Sequence, residues 1–183
     1  MLLVIAGPSG VGKGTIVARL RELVPDLWES ISYTTRPARP SEVDGRDYCF
    51  VTREAFEALR DAGGFLEWFE VFGDLKGTPR GPVEDHLADG DDVLLEIDVQ
   101  GALKVREQFA DAVLVFVRPP SLEVLRARLE GRGTETEEAL ARRLAEAERE
   151  LARAPEFDHV VVNDDLERVV AEVAGILSGS STP

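Results

Sequence analysis

The stretch that decides the fold is Met1-Leu2-Leu3-Val4-Ile5-Ala6 followed by Gly7-Pro8-Ser9-Gly10-Val11-Gly12-Lys13. The first six residues are continuously apolar, the pattern of a short strand buried on both faces. The next seven have the G-x-x-x-x-G-K spacing of a phosphate-binding loop. Glycines are needed there because successive backbone N–H groups must converge on phosphate oxygens without side chains in the way. A helix is expected over 13–23, and its partial positive end points at the same anion. Lys13 then adds a compact charge for the β- and γ-phosphates. The residue after Lys13 is Gly14, where the usual pattern has a serine or threonine hydroxyl for magnesium, and Thr15 comes one place later. The metal is therefore expected to rest mainly on phosphates and water. Asp98, which follows the apolar run 93–97, is the carboxylate expected to stand behind that water.

Outward from this loop, the runs 93–97, 113–117 and 159–162 are also apolar, and each gives way to polar or helical sequence. Strands alternating with helices argue for βαβ units and a parallel sheet covered on both faces. The middle third, residues 30–81, reads differently. Its strands are shorter, glycine and proline interrupt it, and one helix is expected over 53–62. Over 136–151, Leu140, Leu144, Ala147 and Leu151 share one helical stripe. Just before that helix, Glu130-Gly131-Arg132-Gly133 is a glycine-flanked break suited to a hinge.

The chain has 183 residues, close to one domain of about 150 and long enough to bury roughly 70% of its unfolded surface. Its net charge of −14 repels phosphate backbones and anionic lipid, so no nucleic-acid or membrane-surface partner is expected. That charge still allows one anionic ligand in a locally basic cleft. A single cysteine, Cys49, forms no internal disulfide and points to a reducing compartment, the cytoplasm. Two distant histidines, His86 and His159, give a zinc site almost no material.

Taken together, several ordered motifs resemble the guanylate kinase family, from Leu3 to about Leu177. Ser32-Tyr33-Thr34-Thr35-Arg36-Pro37 with Arg39, then Glu42 to Tyr48, is similar to that family's GMP-binding segment. Phe65-Leu66-Glu67-Trp68 is similar to its base-recognition strand, and Glu96-Ile97-Asp98-Val99-Gln100-Gly101 to the segment after the central strand. Glu130 to Glu138 resembles the lid, and Val162-Asn163-Asp164-Asp165 the adenine-side loop. The resemblance implies an α/β fold: a P-loop kinase core with a parallel sheet flanked by helices, a small mixed α/β GMP-binding insertion and a helical lid. The core is expected over 1–30, 82–127 and 155–178, the insertion over 31–81, the lid over 128–154 and a frayed tail over 179–183.

The same resemblance implies transfer of the γ-phosphoryl group of ATP to GMP, with dGMP as a further acceptor and Mg2+ bound with ATP. Gly7 to Lys13, Gly14 and Thr15 would hold the ATP phosphates, with Asn163 by the adenine. Arg128, Arg132 and Arg143 would be lid arginines that closure gathers over the γ-phosphate. Ser32, Arg36, Arg39, Tyr48, Glu67, Thr78, Glu96 and Asp98 would surround GMP. Lys13, Arg36, Asp98, Arg132 and Arg143 would carry the catalysis.

The chemistry of these residues agrees with those roles. Arginines offer planar forks for phosphate, and phosphoryl transfer needs positioning and charge stabilisation more than covalent chemistry. A carboxylate such as Glu67 accepts from the adjacent N1–H and N2 amino donors of guanine, whereas adenine offers an acceptor at N1 and leaves the charge unpaired. Before Gly77-Thr78 the family carries tyrosines, one of which donates to the GMP phosphate. Here the stretch is Asp74-Leu75-Lys76, and the Lys76 ammonium is the candidate replacement. Two other readings share these motifs: a kinase for another small phosphate acceptor, and a catalytically weak protein-binding module of the same shape. The intact loop from Gly7 to Lys13 favours an enzyme.

Overall fold

The computed structural model describes residues 1–71, 73–131 and 137–179. In chain order the elements are β1 (Leu2–Ala6), α1 (Lys13–Leu23), β2 (Trp28–Glu29), β3 (Tyr33–Thr34), β4 (Cys49–Phe50), α2 (Arg53–Asp61), β5 (Phe65–Val71) and β6 (Asp74–Pro79). They continue with α3 (Arg80–Ala88), β7 (Val93–Glu96), α4 (Val99–Gln108), β8 (Val113–Arg118), α5 (Leu122–Glu130), α6 (Glu137–Leu151), β9 (His159–Val162) and α7 (Leu166–Leu177). The main sheet has the order β2-β7-β1-β8-β9, with every pairing parallel. This is the α/β architecture expected from the alternation of apolar runs.

The apolar runs are continuous because both faces of that sheet are buried. Leu2, Val4 and Ala6 of β1 pack with Leu95, Leu114 and Phe116 in one core beneath α4. Leu3 and Ile5 turn the other way, joining Leu94, Val115 and Val117 beneath α1 and α7. All five residues of β1 are buried, so the strand end that carries the phosphate loop is fixed from both sides. Burial of each leucine, valine or isoleucine among them contributes about 1.5–3 kcal/mol.

A second sheet, ordered β4-β3-β6-β5, is built entirely from the middle third of the chain. It has its own small core of Phe56, Phe65 and Leu75, with the Phe56 and Phe65 rings stacked 4.3 Å apart. The helix α2 seats here because Thr52 caps it, its hydroxyl accepting from the Ala55 N–H. The two sheets are tied through Arg80, which donates to the carbonyls of Gly63 and Phe65 and to Gln108 of α4. Gln108 in turn donates to the Leu66 carbonyl.

The helix α6 packs on α5 through Leu125, Leu129, Leu140, Leu144 and Ala147, the stripe read from its spacing. Its last residue, Leu151, reaches the core beneath α4. Arg132 and the tail residues 180–183 lie outside the described residues, so the hinge and tail expectations find no test here.

Candidate active site

Three glycines shape the loop between β1 and α1. Gly7 has φ +147°, and a Cβ there would stand 2.2 Å from the Val117 carbonyl oxygen of β8. Gly12 has φ +102° and would meet the Asn163 amide at 2.6 Å. Neither position accommodates a side chain, which is why the motif spends glycine at both. The Lys13 ammonium folds back over the loop, donating to the Gly7 carbonyl at 2.6 Å and the Pro8 carbonyl at 3.4 Å. Burial lowers its pKa from the ordinary lysine value, while Glu96, Glu150 and Asp98 favour its charge and Lys76 opposes it.

The far side of the loop is fastened by Asn163 and Arg128. The Asn163 side-chain amide donates to the Val11 carbonyl at 2.8 Å, and Arg128 donates to the carbonyls of Val11 and Asn163, both at 3.0 Å. In this structure Arg128 is therefore engaged at the Val11–Asn163 end of the loop. Two of its guanidinium donors reach those carbonyls, and the Val11 carbonyl is shared with the Asn163 amide. The expected gathering of Arg128, Arg132 and Arg143 over one phosphate on closure finds no test here. Arg143 lies half-buried on α6.

Across the cleft, the segment after β2 enters the second sheet. Thr34 and Thr35 stitch it to β6: Thr34 donates to the Leu75 carbonyl, and Thr35 accepts from the Leu75 N–H. This register holds Arg36 beside Tyr48. Glu42, which sequence reading quoted without a role, organises both arginines. Its carboxylate accepts from the Arg36 guanidinium and from the Arg39 N–H, each at 2.8 Å. That hydrogen bond from Arg36 lowers the Glu42 pKa from the usual carboxylate value. Arg36 and Lys76 both lie against the Tyr48 ring, 5.5 and 5.2 Å from its centre.

Two hollows open between the sheets, and Lys76 lines both. One is walled by Glu67, Phe69, Ile97 and Asp98. Glu67 is 5% exposed and accepts the Thr78 hydroxyl; burial pushes its pKa to about 7, with the neighbouring Asp98 adding to the rise. Asp98 caps α4, accepting from the Gly101 N–H at 2.7 Å. The other hollow is lined by Glu29, Ser30, Ser32, Tyr48 and Glu96 among others. Glu96, at the end of β7, stands against Gly14 of the phosphate loop. Thr15, on the exposed side of α1, lines neither hollow.

Sequence reading missed Glu150. It sits half-buried near the end of α6, close enough to Lys13 and Asp98 to feel both charges, and burial pushes its pKa to about 7. The one signal was its spacing: Arg143, Ala147 and Glu150 fall at i, i+4 and i+7, a single helical face.

Comparison with known proteins agrees with this geometry. The sequence profile described as guanylate kinase matches residues 1–180. A guanylate kinase of Symbiobacterium thermophilum is 55% identical over 97% of this chain and 84% of its own length. One from Synechococcus sp. strain CC9311 is 53% identical over 93% of this chain and 90% of its own. The crystal structure of guanylate kinase from Anaplasma phagocytophilum superposes with a TM-score of 0.81 at 36% identity, covering 100% of this chain and 87% of that one. A shikimate kinase from Bacteroides thetaiotaomicron, at 14% identity and a TM-score of 0.54, shares the fold. With its phosphate loop, its second sheet and its profile match all in register along the same residues, this chain belongs to the guanylate kinase family.

Proposed function

We propose that this protein transfers the γ-phosphoryl group of ATP to GMP, giving ADP and GDP, and that dGMP serves as a second acceptor. The observation that carries this reading is Glu67. It is a buried carboxylate held by Thr78, beside Asp98, in a hollow that shares Lys76 with the neighbouring Arg36–Tyr48 region. Such a group is matched to the paired N–H donors of guanine and penalises adenine, which leaves the charge unpaired.

On the donor side, the backbone of Gly7 to Gly14 and the ammonium of Lys13 cradle the ATP phosphates, and Lys13 exchanges the Gly7 carbonyl for phosphate oxygens. Asn163 and Arg128 hold the loop where the adenine would lie. On the acceptor side, Arg36, Arg39, Tyr48 and Lys76 grip the GMP phosphate, with Ser32 beside them, while Glu67, Thr78 and Asp98 read the base. Arg143 and Arg132 are the proposed lid cations. A divalent ion, Mg2+ in this reading, neutralises charge on the β- and γ-oxygens when bound with ATP. The functional division is a core of 1–30, 82–127 and 155–178, an acceptor-binding insertion of 31–81 and a lid of 128–154. The role proposed is a cytoplasmic one in purine nucleotide metabolism; among the described residues no helix is long and apolar enough to cross a membrane.

A coupled ADP-release assay tests the proposal with GMP, AMP and a sugar phosphate as acceptors. Turnover with GMP should exceed that with AMP by about 10⁴ in kcat/KM, the scale of rejecting an analogue that leaves a buried polar group unpaired. Equal rates with GMP and AMP, or ADP release independent of acceptor, would overturn it.

A further inference from the structure

We propose that Phe69 is the wall on which the purine of the acceptor stacks, and that Lys104 positions it. The inference rests on the reading of the chain as a GMP kinase and adds two residues to its base site.

A break in the pairing of β5 with β6 sets the geometry. Phe65 stands opposite Pro79 and Glu67 opposite Thr78, so two steps along β5 match one along β6. An unbroken strand would keep Phe65, Glu67 and Phe69 on one face; a bulge re-aims the side chains beyond it. Before the bulge, the Phe65 ring stacks on Phe56 of α2. Beyond it, Glu67 turns to Gly101 of α4, and the Phe69 ring lies against the Lys104 ammonium of the same helix, 3.9 Å from the ring centre. Trp68, between them, faces Arg60 of α2. The bulge thus presents a carboxylate and a ring side by side.

Phe69 does not serve as a packing residue. The small core of the second sheet is Phe56, Phe65 and Leu75, and Leu66 is the residue of β5 that enters the core beneath α4. Among the described residues Phe69 joins no apolar core. It is half-buried and lines the hollow of Glu67, Ile97 and Asp98, as does its register partner Lys76. A ring beside a buried carboxylate suits a flat heterocycle with N–H groups on one edge. The carboxylate meets the edge, and the ring meets the face in an offset stack with centres about 4.5–7 Å apart. Every base has such a face, so stacking adds affinity without choice. The choice is left to Glu67.

Lys104 reaches the ring because α4 runs close to β5. Gly101 and Lys104 are three residues apart, on one helix face. A Cβ on Gly101 would stand 3.2 Å from a Glu67 carboxylate oxygen, so glycine keeps that approach open. An ammonium over an aromatic face is attracted by the ring's negative face. It holds the plane of Phe69 from one side and leaves the other side for the base. The same cation acts on Glu67. Asp98, which caps α4, disfavours the ionised acid, whereas Lys76 of β6 and Lys104 of α4 favour it.

Calorimetric binding of GMP and IMP, with ADP as control, tests both assignments. IMP has the fused ring of GMP and lacks the N2 amino group. At pH 8, Phe69→Leu should weaken GMP and IMP by the same factor, about tenfold, the scale of one lost base–aromatic stack, and leave ADP binding unchanged. Phe69→Tyr keeps the ring and should hold both ligands within about twofold of wild type. Phe69→Met, which fills similar space without a ring, takes the place of Phe69→Leu should that variant not fold. Lys104→Met keeps the stem and removes the charge. It should weaken GMP about threefold at pH 8, within the range of an exposed cation–π contact. It should also move the acid-side loss of GMP affinity to higher pH, because Glu67 then ionises less readily. Wild-type GMP affinity in Phe69→Leu, a changed ratio of GMP to IMP affinity, or a loss shared by ADP would overturn the stacking role. An unmoved pH dependence in Lys104→Met would overturn the role of Lys104. A wild-type protein that binds neither GMP nor IMP would count against the kinase reading instead.

Discussion

Thr78 and Glu67 are register partners across the β5–β6 pair, and the Thr78 hydroxyl donates to the Glu67 carboxylate at 2.5 Å. That bond orients the acid without neutralising it. Burial dominates and holds its pKa at about 7. Guanine needs the ionised form, because a protonated acid has one acceptor fewer for the two N–H donors. Below about pH 7 the proton must leave before GMP binds. The KM for GMP should rise about tenfold per pH unit as pH falls from 7 to 5.5 and be flat above 8, by simple linkage. Initial rates at saturating ATP, from pH 5.5 to 8.5, check this. Glu67→Gln should raise the KM and abolish that slope; a slope that survives in the variant points to another group.

Lys13 is the compact cation of the phosphate loop, half-buried with its ammonium on the Gly7 carbonyl. Lys13→Met keeps the stem and removes the charge. We expect kcat to fall about a hundredfold or more, the loss associated with one preorganised electrostatic partner. ADP release at saturating ATP and GMP is the measurement, and a near-native kcat would remove Lys13 from the mechanism.

Lys76 is the proposed replacement for the family's phosphate-contacting tyrosine, and its ammonium lies 5.2 Å from the centre of the Tyr48 ring. It lines both hollows, so it can reach the GMP phosphate while leaving the base side open. Lys76→Ala should raise the KM for GMP by at most ~1.5–3 kcal/mol, the range of one charged hydrogen bond, with the KM for ATP little changed. Lys76→Tyr should restore most of the loss. Assays at low salt avoid screening, and equal GMP KM values for wild type and Lys76→Ala would assign the phosphate grip to Arg36, Arg39 and Tyr48 alone.

How much of this was legible in the sequence follows from distance along the chain. The phosphate loop is contiguous, so its strand, glycines, lysine and the helix Lys13–Leu23 were read in place. The helix over 53–62 was also read in place, whereas the strand at Glu67 came with the family resemblance rather than from its own pattern. Glu96 and Asp98 are different. They alternate around the buried Ile97: Glu96 lies against Gly14, whereas Asp98 caps α4 and lines the hollow of Glu67, a split that no local pattern records. Glu150 stood outside the reading altogether, since its meeting with Lys13 is made only when α6 folds back across the core. Arg128 was placed among the lid arginines by the family resemblance. Its carbonyl partners, Val11 and Asn163, come from two distant loops.

Glu150 gives a prediction with a distinct signature. Ionised, it competes with phosphate for Lys13; its pKa of about 7, against 4.5 for the free group, means that it is charged at pH 8 and neutral at pH 6. Glu150→Gln should bind ADP about threefold more tightly than wild type at pH 8, a modest share of the Coulomb energy between nearby partly buried charges. At pH 6 the two should agree. The folded protein also holds this proton more tightly than the unfolded chain, so ionisation removes stability as pH rises from about 4.5 through 7. The variant should therefore gain in Tm over wild type at pH 8 and not at pH 4.5. Calorimetric ADP titrations and thermal melts at those pH values decide it.

The second sheet is one uninterrupted length of chain, joined to the core covalently only through the residues after Glu29 and the step from Pro79 to Arg80. A contiguous segment of this kind is a natural cassette. Exchanging it for its counterpart from a kinase with another acceptor would transplant the phosphate grip and Glu67 in a single cut. Asp98 would stay behind, because it belongs to the cap of α4. Half of the proposed base-reading wall is thus inherited with the core. A chimera that moves the cassette alone would be expected to hold its new acceptor by the phosphate and misread the base.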